Sequence, residues 1–160
     1  MRLLMLSTDQ KIFEQNSAVR ERMIEYAGGV DKLMIIVLGQ KQTEEKLGQL
    51  SIVGLSRPQA LFWRPKGSFD MVTSQDPFET GFIAWRLAKR LKAKLELQIH
   101  TDLGSPYFRY QSLLNRLRCL LANFLLPQAD AVRVVSQRIA DYLKTAGYKL
   151  KTVPVVRPIV

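Results

Sequence analysis

The stretch Phe69–Asp102, FDMVTSQDPFETGFIAWRLAKRLKAKLELQIHTD, decides the fold. It opens on FDMVTS (Phe69–Ser74), an apolar run of strand length, and closes on a second such run, LELQIH (Leu95–His100). Between them Ile83, Leu87 and Leu91 recur at helical spacing, which predicts a helix over Pro77–Leu91. Strand, helix and strand in succession form a crossover unit, and a crossover joins parallel strands.

The same alternation extends in both directions. Upstream, RLLMLS (Arg2–Ser7) reads as a buried strand, Ile12–Tyr26 as a helix stopped at Gly28-Gly29, and KLMIIVLG (Lys32–Gly39) as a second strand. Gln40–Ser68 reads as a polar loop, a strand SIVGLS, a proline and the aromatic segment LFWRP. Downstream, Tyr107–Leu126 reads as one helix ended by Pro127, its Leu113, Leu114, Leu117, Leu120, Leu121 and Phe124 forming a stripe expected to pack inward. AVRVVS (Ala131–Ser136) is a strand, Gln137–Ala146 a helix closed by Gly147, and TVPVV (Thr152–Val156) a last strand. The pattern predicts an α/β fold: a doubly wound, mainly parallel sheet flanked by helices, with residues 1–160 as a single Rossmann-like domain.

In such folds ligands bind beyond the carboxyl ends of the strands, which collects the candidate site residues at one edge. The first strand leads into Ser7, Thr8, Asp9 and Lys11; the central one into Ser74, Gln75 and Asp76; the next into His100, Thr101 and Asp102; the last long one into Ser136. Asp76 fits a helix N-cap first and a ligand contact second, with Pro77 at the first helical position and Glu79 as the capping-box acid. Ser136 fits an N-cap or a ligand contact equally well. Gln75 has no capping role and is the stronger cleft candidate of its triplet. His100, the sole histidine, reads either as a strand-end histidine bonded to backbone or as a donor to a sugar hydroxyl or phosphate, with Asp102 able to orient it.

Composition narrows the partners. The formal net charge is +10 with a pI near 10.0, which favours nucleic acid, an acidic membrane face or phosphorylated small molecules. One cysteine, Cys119, excludes an intrachain disulfide and reads as a buried thiol in a reducing compartment. One Cys and one His predict no metal site. MRLLMLSTD is interrupted too soon by Asp9 for a signal peptide, and LLNRLRCLLANFLLP is too short and too charged to span a bilayer, so a cytoplasmic location is expected. G-x-G-x-x-G, Walker and G-x-S-x-G motifs are all missing, which disfavours dinucleotide binding, P-loop NTP hydrolysis and α/β-hydrolase chemistry.

The order strand, QDP, helix, strand, HTD, long helix, PxAD, strand, VS resembles the N-terminal domain of family 4 glycosyltransferases, which have the GT-B fold. The likeness runs through Phe69–Asp102 and Ser105–Leu143, and the opening MRLLMLSTDQKIFEQNSAVRERMIEYA fits a branch of the same family. The resemblance implies transfer of a sugar from a nucleotide-sugar donor to a carbohydrate or lipid-linked acceptor, usually with retention, and no metal or other cofactor. It implies that this segment is the acceptor-side half of a cleft, whose nucleotide-binding C-terminal domain is supplied elsewhere, in cis or in trans. His100 matches the histidine that reaches the transferred sugar, making it the catalytic candidate; Asp9, Lys11, Gln75, Asp76, Thr101, Asp102 and Ser136 line the acceptor/donor cleft by the same analogy. The loop after the first strand, STDQKIFEQ, departs from the family in having no adjacent glycines.

Basic residues cluster at Arg86, Lys89, Arg90, Lys92 and Lys94, and Arg109, Arg116 and Arg118 lie among Tyr107, Phe108 and Tyr110. This reads as a solvated face above a packed stripe, with peripheral contact to an anionic inner membrane face as the second option. A non-catalytic basic module for nucleic acid is the alternative from another class. It is disfavoured because the aromatics fall in apolar patterns and not on a stacking platform.

Overall fold

The computed structural model describes residues 1–157. Eight strands form one sheet: β1 (Arg2–Ser7), β2 (Lys32–Leu38), β3 (Thr43–Leu47), β4 (Leu50–Leu55), β5 (Met71–Ser74), β6 (Lys94–Ile99), β7 (Ala131–Val134) and β8 (Val155–Val156). The order across the sheet is β3-β4-β2-β1-β5-β6-β7-β8, and every pairing is parallel except β3 against β4. The helices are α1 (Ala18–Gly28), α2 (Arg57–Phe62), α3 (Glu79–Leu91), α4 (Pro106–Gln111), α5 (Leu113–Leu125) and α6 (Gln137–Thr145), with 3-10 turns at Gln10–Phe13 and Leu126–Gln128. The expected doubly wound α/β sheet is the observed one.

Two cores sandwich the sheet. On one face Leu4, Leu6, Ile36, Val72, Leu97 and Val134 meet Ile83, Ala84 and Leu87 of α3, Ala122 and Leu125 of α5, and Ile139 and Leu143 of α6. On the other, Met5, Leu33, Ile35 and Ile52 meet Met23 and Ala27 of α1. This second layer stops at β1: along β5, β6 and β7 the same face carries Thr73, Glu96, Gln98 and Arg133 in place of aliphatic residues, joined side by side. Gln98 Nε2 donates to Thr73 Oγ1 at 3.0 Å, Thr73 Oγ1 donates to Glu96 Oε1 at 2.9 Å, and Arg133 donates to Gln98 Oε1 at 3.0 Å. A hydrogen-bonded polar layer can lie on a half-covered sheet face where a bare aliphatic one would not.

Several local expectations are corrected. The first helix begins at Ala18, not Ile12: Asp9 accepts from the Lys11 amide to start a 3-10 turn, and Ser17 is the true N-cap, accepting from Arg20 N. The polar loop after Gly39 contains strand β3, whose TEEKL sequence suits a charged sheet edge. The first two residues of LFWRP, Leu61 and Phe62, close helix α2, which has a full capping box between Ser56 and Gln59, an S-x-x-Q signal legible in RPQALF and its leading serine. The single helix over Tyr107–Leu126 is two, split at Ser112, which is fully extended and caps α5 through Asn115 N. The last strand is confined to Val155–Val156. Most consequentially, the leucine stripe of α5 faces out: Asn115, Cys119, Ala122 and Leu125 are the buried positions, and Leu113, Leu114, Leu117, Leu120 and Phe124 are exposed.

The amino edge of the sheet is closed by ion pairs. Arg2 grips Asp70 with both backbone and side chain, holding that carboxyl down to about 2. Asp130 accepts from Leu95 N and from Lys151, tying β6 to the chain's end. Asp130 is the acid of the PxAD motif, so that motif is a clamp on the fold, far from the carboxyl edge.

Candidate functional site

The carboxyl edge is organised differently. A trough of about 420 Å³ runs up the half-covered face between α1 and the sheet. Met5, Met23 and Tyr26 form one wall; Gln98 and Arg133 form its floor; Gln75 and His100 stand where β5 and β6 end; Arg22 and Arg157 complete the lining. Gln75 and His100 thus converge, as neighbouring strand ends in a parallel sheet should.

Each of these side chains is placed by an identifiable cause. β5 ends in Ser74, whose buried hydroxyl donates to the Asp76 carbonyl at 2.9 Å and lies 2.9 Å from Thr80 Oγ1 in α3. That turn throws Gln75 back over β1, where its Oε1 accepts from Ser7 Oγ at 2.9 Å. Gln75 therefore has a structural partner that the sequence did not disclose, and it still faces the trough. His100 sits at the rim. Partial burial, then the neighbouring Arg133 guanidinium, lower its pKa from the ordinary 6.5, and Asp76 opposes them. A neutral imidazole at the rim can both donate and accept a hydrogen bond. Arg133 reaches Gln98 through Nη2, but its buried Nε has no hydrogen-bond partner among the described residues. A cationic floor with an unspent donor suits an anionic or hydroxyl-rich ligand.

The other candidates have local duties. Asp76 is not the N-cap of α3: the helix starts two residues later, at Glu79, and Asp76 Oδ1 accepts from Phe78 N to shape the approach turn. Pro77 consequently lies outside the helix, and Glu79 pairs with Arg118 at 3.1 Å and serves no capping box. Asp102 accepts from Gly104 N and pairs with Arg138 at 2.6 Å. Ser136 caps α6 through Ile139 N, as its capping reading expected. Asp9 caps its 3-10 turn, Lys11 is exposed, and Thr101 is half-buried beside His100. None of Asp9, Lys11, Asp76, Thr101, Asp102 or Ser136 lines the trough. Arg22, Gln98, Arg133 and Arg157 do, and the sequence reading overlooked them. The signal for two of them was visible: Gln98 and Arg133 are polar residues in the middle of otherwise apolar strands.

Among the described residues no group of three His, Cys, Asp or Glu side chains lies close enough to hold a metal, and no helix is long and apolar enough to cross a membrane.

With this geometry in hand, similarity to known proteins can be placed on it. No curated protein matches the sequence significantly. Among solved structures, the crystal structure of Anabaena Alr3699/HepE in complex with UDP and glucose is similar over 99% of this chain, with a TM-score of 0.60 and 15% sequence identity. The chain spans 44% of the length of that protein. At this identity the likeness concerns the fold alone: the same mainly parallel α/β sheet flanked by helices. The sequence profile of the glycosyl transferase 4-like domain matches residues 30–158, which include both polar strand ends and the strands of the trough floor. The chain belongs to the glycosyl transferase 4-like domain family.

Proposed function

We propose that this chain is the acceptor-side half of a retaining glycosyltransferase. It would work with a nucleotide-sugar-binding domain, in the same chain or another, to move a sugar onto a carbohydrate or lipid-linked acceptor. The observation that carries the reading is the convergence of His100 and Gln75 over the Arg133 floor at the carboxyl edge. The 44% coverage of a structural neighbour that binds UDP and glucose supports the two-domain arrangement.

In such a transfer the anomeric carbon exchanges its bond to the donor's phosphate oxygen for one to the acceptor oxygen. The acceptor's proton leaves with the nucleoside diphosphate. His100, neutral at neutral pH, serves as a hydrogen-bond partner for a hydroxyl of the transferred sugar and fixes its orientation. Gln75 presents its amide nitrogen to the acceptor while Ser7 holds its oxygen. Arg133 and its arginine neighbours supply positive potential where phosphate charge develops. No step calls for a metal.

The test is turnover with a panel of nucleotide sugars, read by mass spectrometry, using the protein that carries this chain together with its donor-binding domain. The His100→Ala variant should keep its thermal transition and lose transfer. Transfer at the wild-type rate in that variant would remove His100 from the site and with it the proposed placement of the cleft.

A further inference from the structure

We propose that the outer face of α4 and α5 is a docking surface for an anionic phospholipid bilayer. The face is apolar in a way the core does not need. Leu113, Leu117, Leu120 and Phe124 recur at helical spacing along α5, with Leu113 75% and Leu117 62% exposed. In α4, Tyr107 is 86% exposed and Tyr110 66% exposed. Both helices are anchored from behind by other residues. Phe108 stacks on buried Phe78 at 5.7 Å, and Asn115, Cys119, Ala122 and Leu125 face the protein. The outward residues are therefore spare to the fold, and a contiguous apolar face of this kind marks an interaction surface.

Charge selects the occupant. Between Asp102 and Asp130 the chain contains no acidic residue, and it contains Arg109, Arg116 and Arg118. Arg118 is taken up by Glu79 and Arg109 lines a groove beside inward-facing Cys119 and Tyr148, whereas Arg116 is exposed on the outer face. The cations are woven into the apolar face: Arg116 lies 5.7 Å from the Tyr110 ring, and Lys89 lies 4.4 Å from the Trp85 ring, which meets Phe124 edge-on at 5.2 Å. Leucines to enter acyl chains, aromatics at headgroup depth and arginines for lipid phosphates are the three components of an interfacial helix. At thirteen residues α5 lies far short of a bilayer span, so the geometry is one of lying on the surface. A second copy of the chain is disfavoured, because a self-complementary contact would oppose these like charges. Nucleic acid is disfavoured because exposed leucines offer it nothing. The inference does not rest on the proposed transferase activity.

The test is flotation of the protein with vesicles of equal parts phosphatidylcholine and phosphatidylglycerol, against phosphatidylcholine alone, at low and high salt. Binding to the mixed vesicles, weakened by salt and much lower on the neutral ones, is expected. Leu117→Ser and Leu120→Ser together should lower the partition coefficient by about tenfold or more, since each removes a buried leucine's share of transfer free energy. Both positions are exposed, and an unchanged circular dichroism melt establishes that the variant folds. Equal binding of variant and wild type, or no preference for the anionic vesicles, overturns the proposal. So does a stable dimer in the ultracentrifuge that the same substitutions dissociate.

Discussion

Ser7 at the end of β1 donates to Gln75 just past β5, Oγ to Oε1 at 2.9 Å, while also accepting from the Asp9 amide at 3.1 Å. One buried hydroxyl thus ties two of the loops at the carboxyl edge to a single strand end. Ser7→Ala removes both contacts without altering the packing of β1, and the expected loss is about 1 kcal/mol, the net worth of an ordinary hydrogen bond. Combined with Gln75→Ala in a double-mutant cycle, the two losses should be non-additive by a comparable amount. Urea denaturation midpoints measure both, and strict additivity would mean that Gln75 is held by something other than Ser7.

The imidazole of His100 is the only one in the molecule, so its titration is directly visible by NMR. Partial burial and then Arg133 lower its pKa in the folded protein, with Asp76 acting in the opposite sense. The midpoint should lie below 6.5, rise in Arg133→Gln and fall further in Asp76→Asn. The linked effect on stability has a definite sign. As pH falls below 6.5 the unfolded chain takes up the proton first, so the stability present above 6.5 is lost as pH drops through the folded value. The gap in stability between wild type and His100→Gln should open on that acidic side. A midpoint above 6.5 would contradict the proposed desolvation.

The alternation of apolar strands with helical stripes was enough to reach the sheet, because buried parallel strands are continuous hydrophobic runs that tertiary context seldom overrides. It also brought Gln75 and His100 to one edge, since strand ends are adjacent whenever strands are. Four features stayed hidden, for different physical reasons. β3 is charged because it is an edge strand, so TEEKL looked like a loop. The start of α3 was misplaced because an aspartate before a proline serves a turn as readily as a helix cap, and Asp76 bonds Phe78 N to make the turn. The α5 stripe was assigned to the core because periodicity reveals that a helix has an apolar face without saying what lies against it. Here Ala122 and Cys119 are the inward residues and the leucines are the outward ones. The trough floor was missed because Gln98 and Arg133 interrupt strands that otherwise read as buried.

Arg20 is a buried charge whose partner lies on the edge strand. Its guanidinium reaches both oxygens of Glu45, at 2.9 and 2.5 Å, and also donates to the Ile12 carbonyl at 3.3 Å. The pair thereby fastens β3 and the 3-10 turn to α1. Glu45→Ala leaves a buried cation short of its acceptor, and a cost of about 1–3 kcal/mol is expected, tempered because the Glu45 side is partly exposed to solvent. Hydrogen bonding to Arg20 lowers the Glu45 pKa below its ordinary 4.5. Its stabilising share is therefore complete above 4.5 and lost as pH falls through the lowered folded value. Acid titration of the melting temperature should show that step in wild type and lack it in Glu45→Ala.

Gly81 decides how closely α3 can approach the turn that carries Gln75. A Cβ there would stand 2.7 Å from the Asp76 carbonyl oxygen and 3.3 Å from Leu125 Cδ1. The carbonyl cannot easily yield, because Ser74 Oγ donates to it and the Asp76 side chain is engaged with Phe78 N. Gly81→Ala therefore sets two effects against each other: a gain in helix propensity of about 1 kcal/mol and an overpacking cost of about 1–3 kcal/mol. The clash is with fixed backbone, so the cost should win and the protein should lose stability. Gly28, the last residue of α1, has no atom within 4 Å of its would-be Cβ and no positive φ, so Gly28→Ala should show the propensity gain alone. Opposite signs in a pair of thermal melts are the expected result. The turn also sets Gln75 against Ser7, so Gly81→Ala should change the His100 chemical shift across the trough while Gly28→Ala leaves it in place. A stabilised Gly81→Ala with an unmoved His100 signal would show that the turn is free to slide, and that Gln75 is not held in register with the histidine it faces.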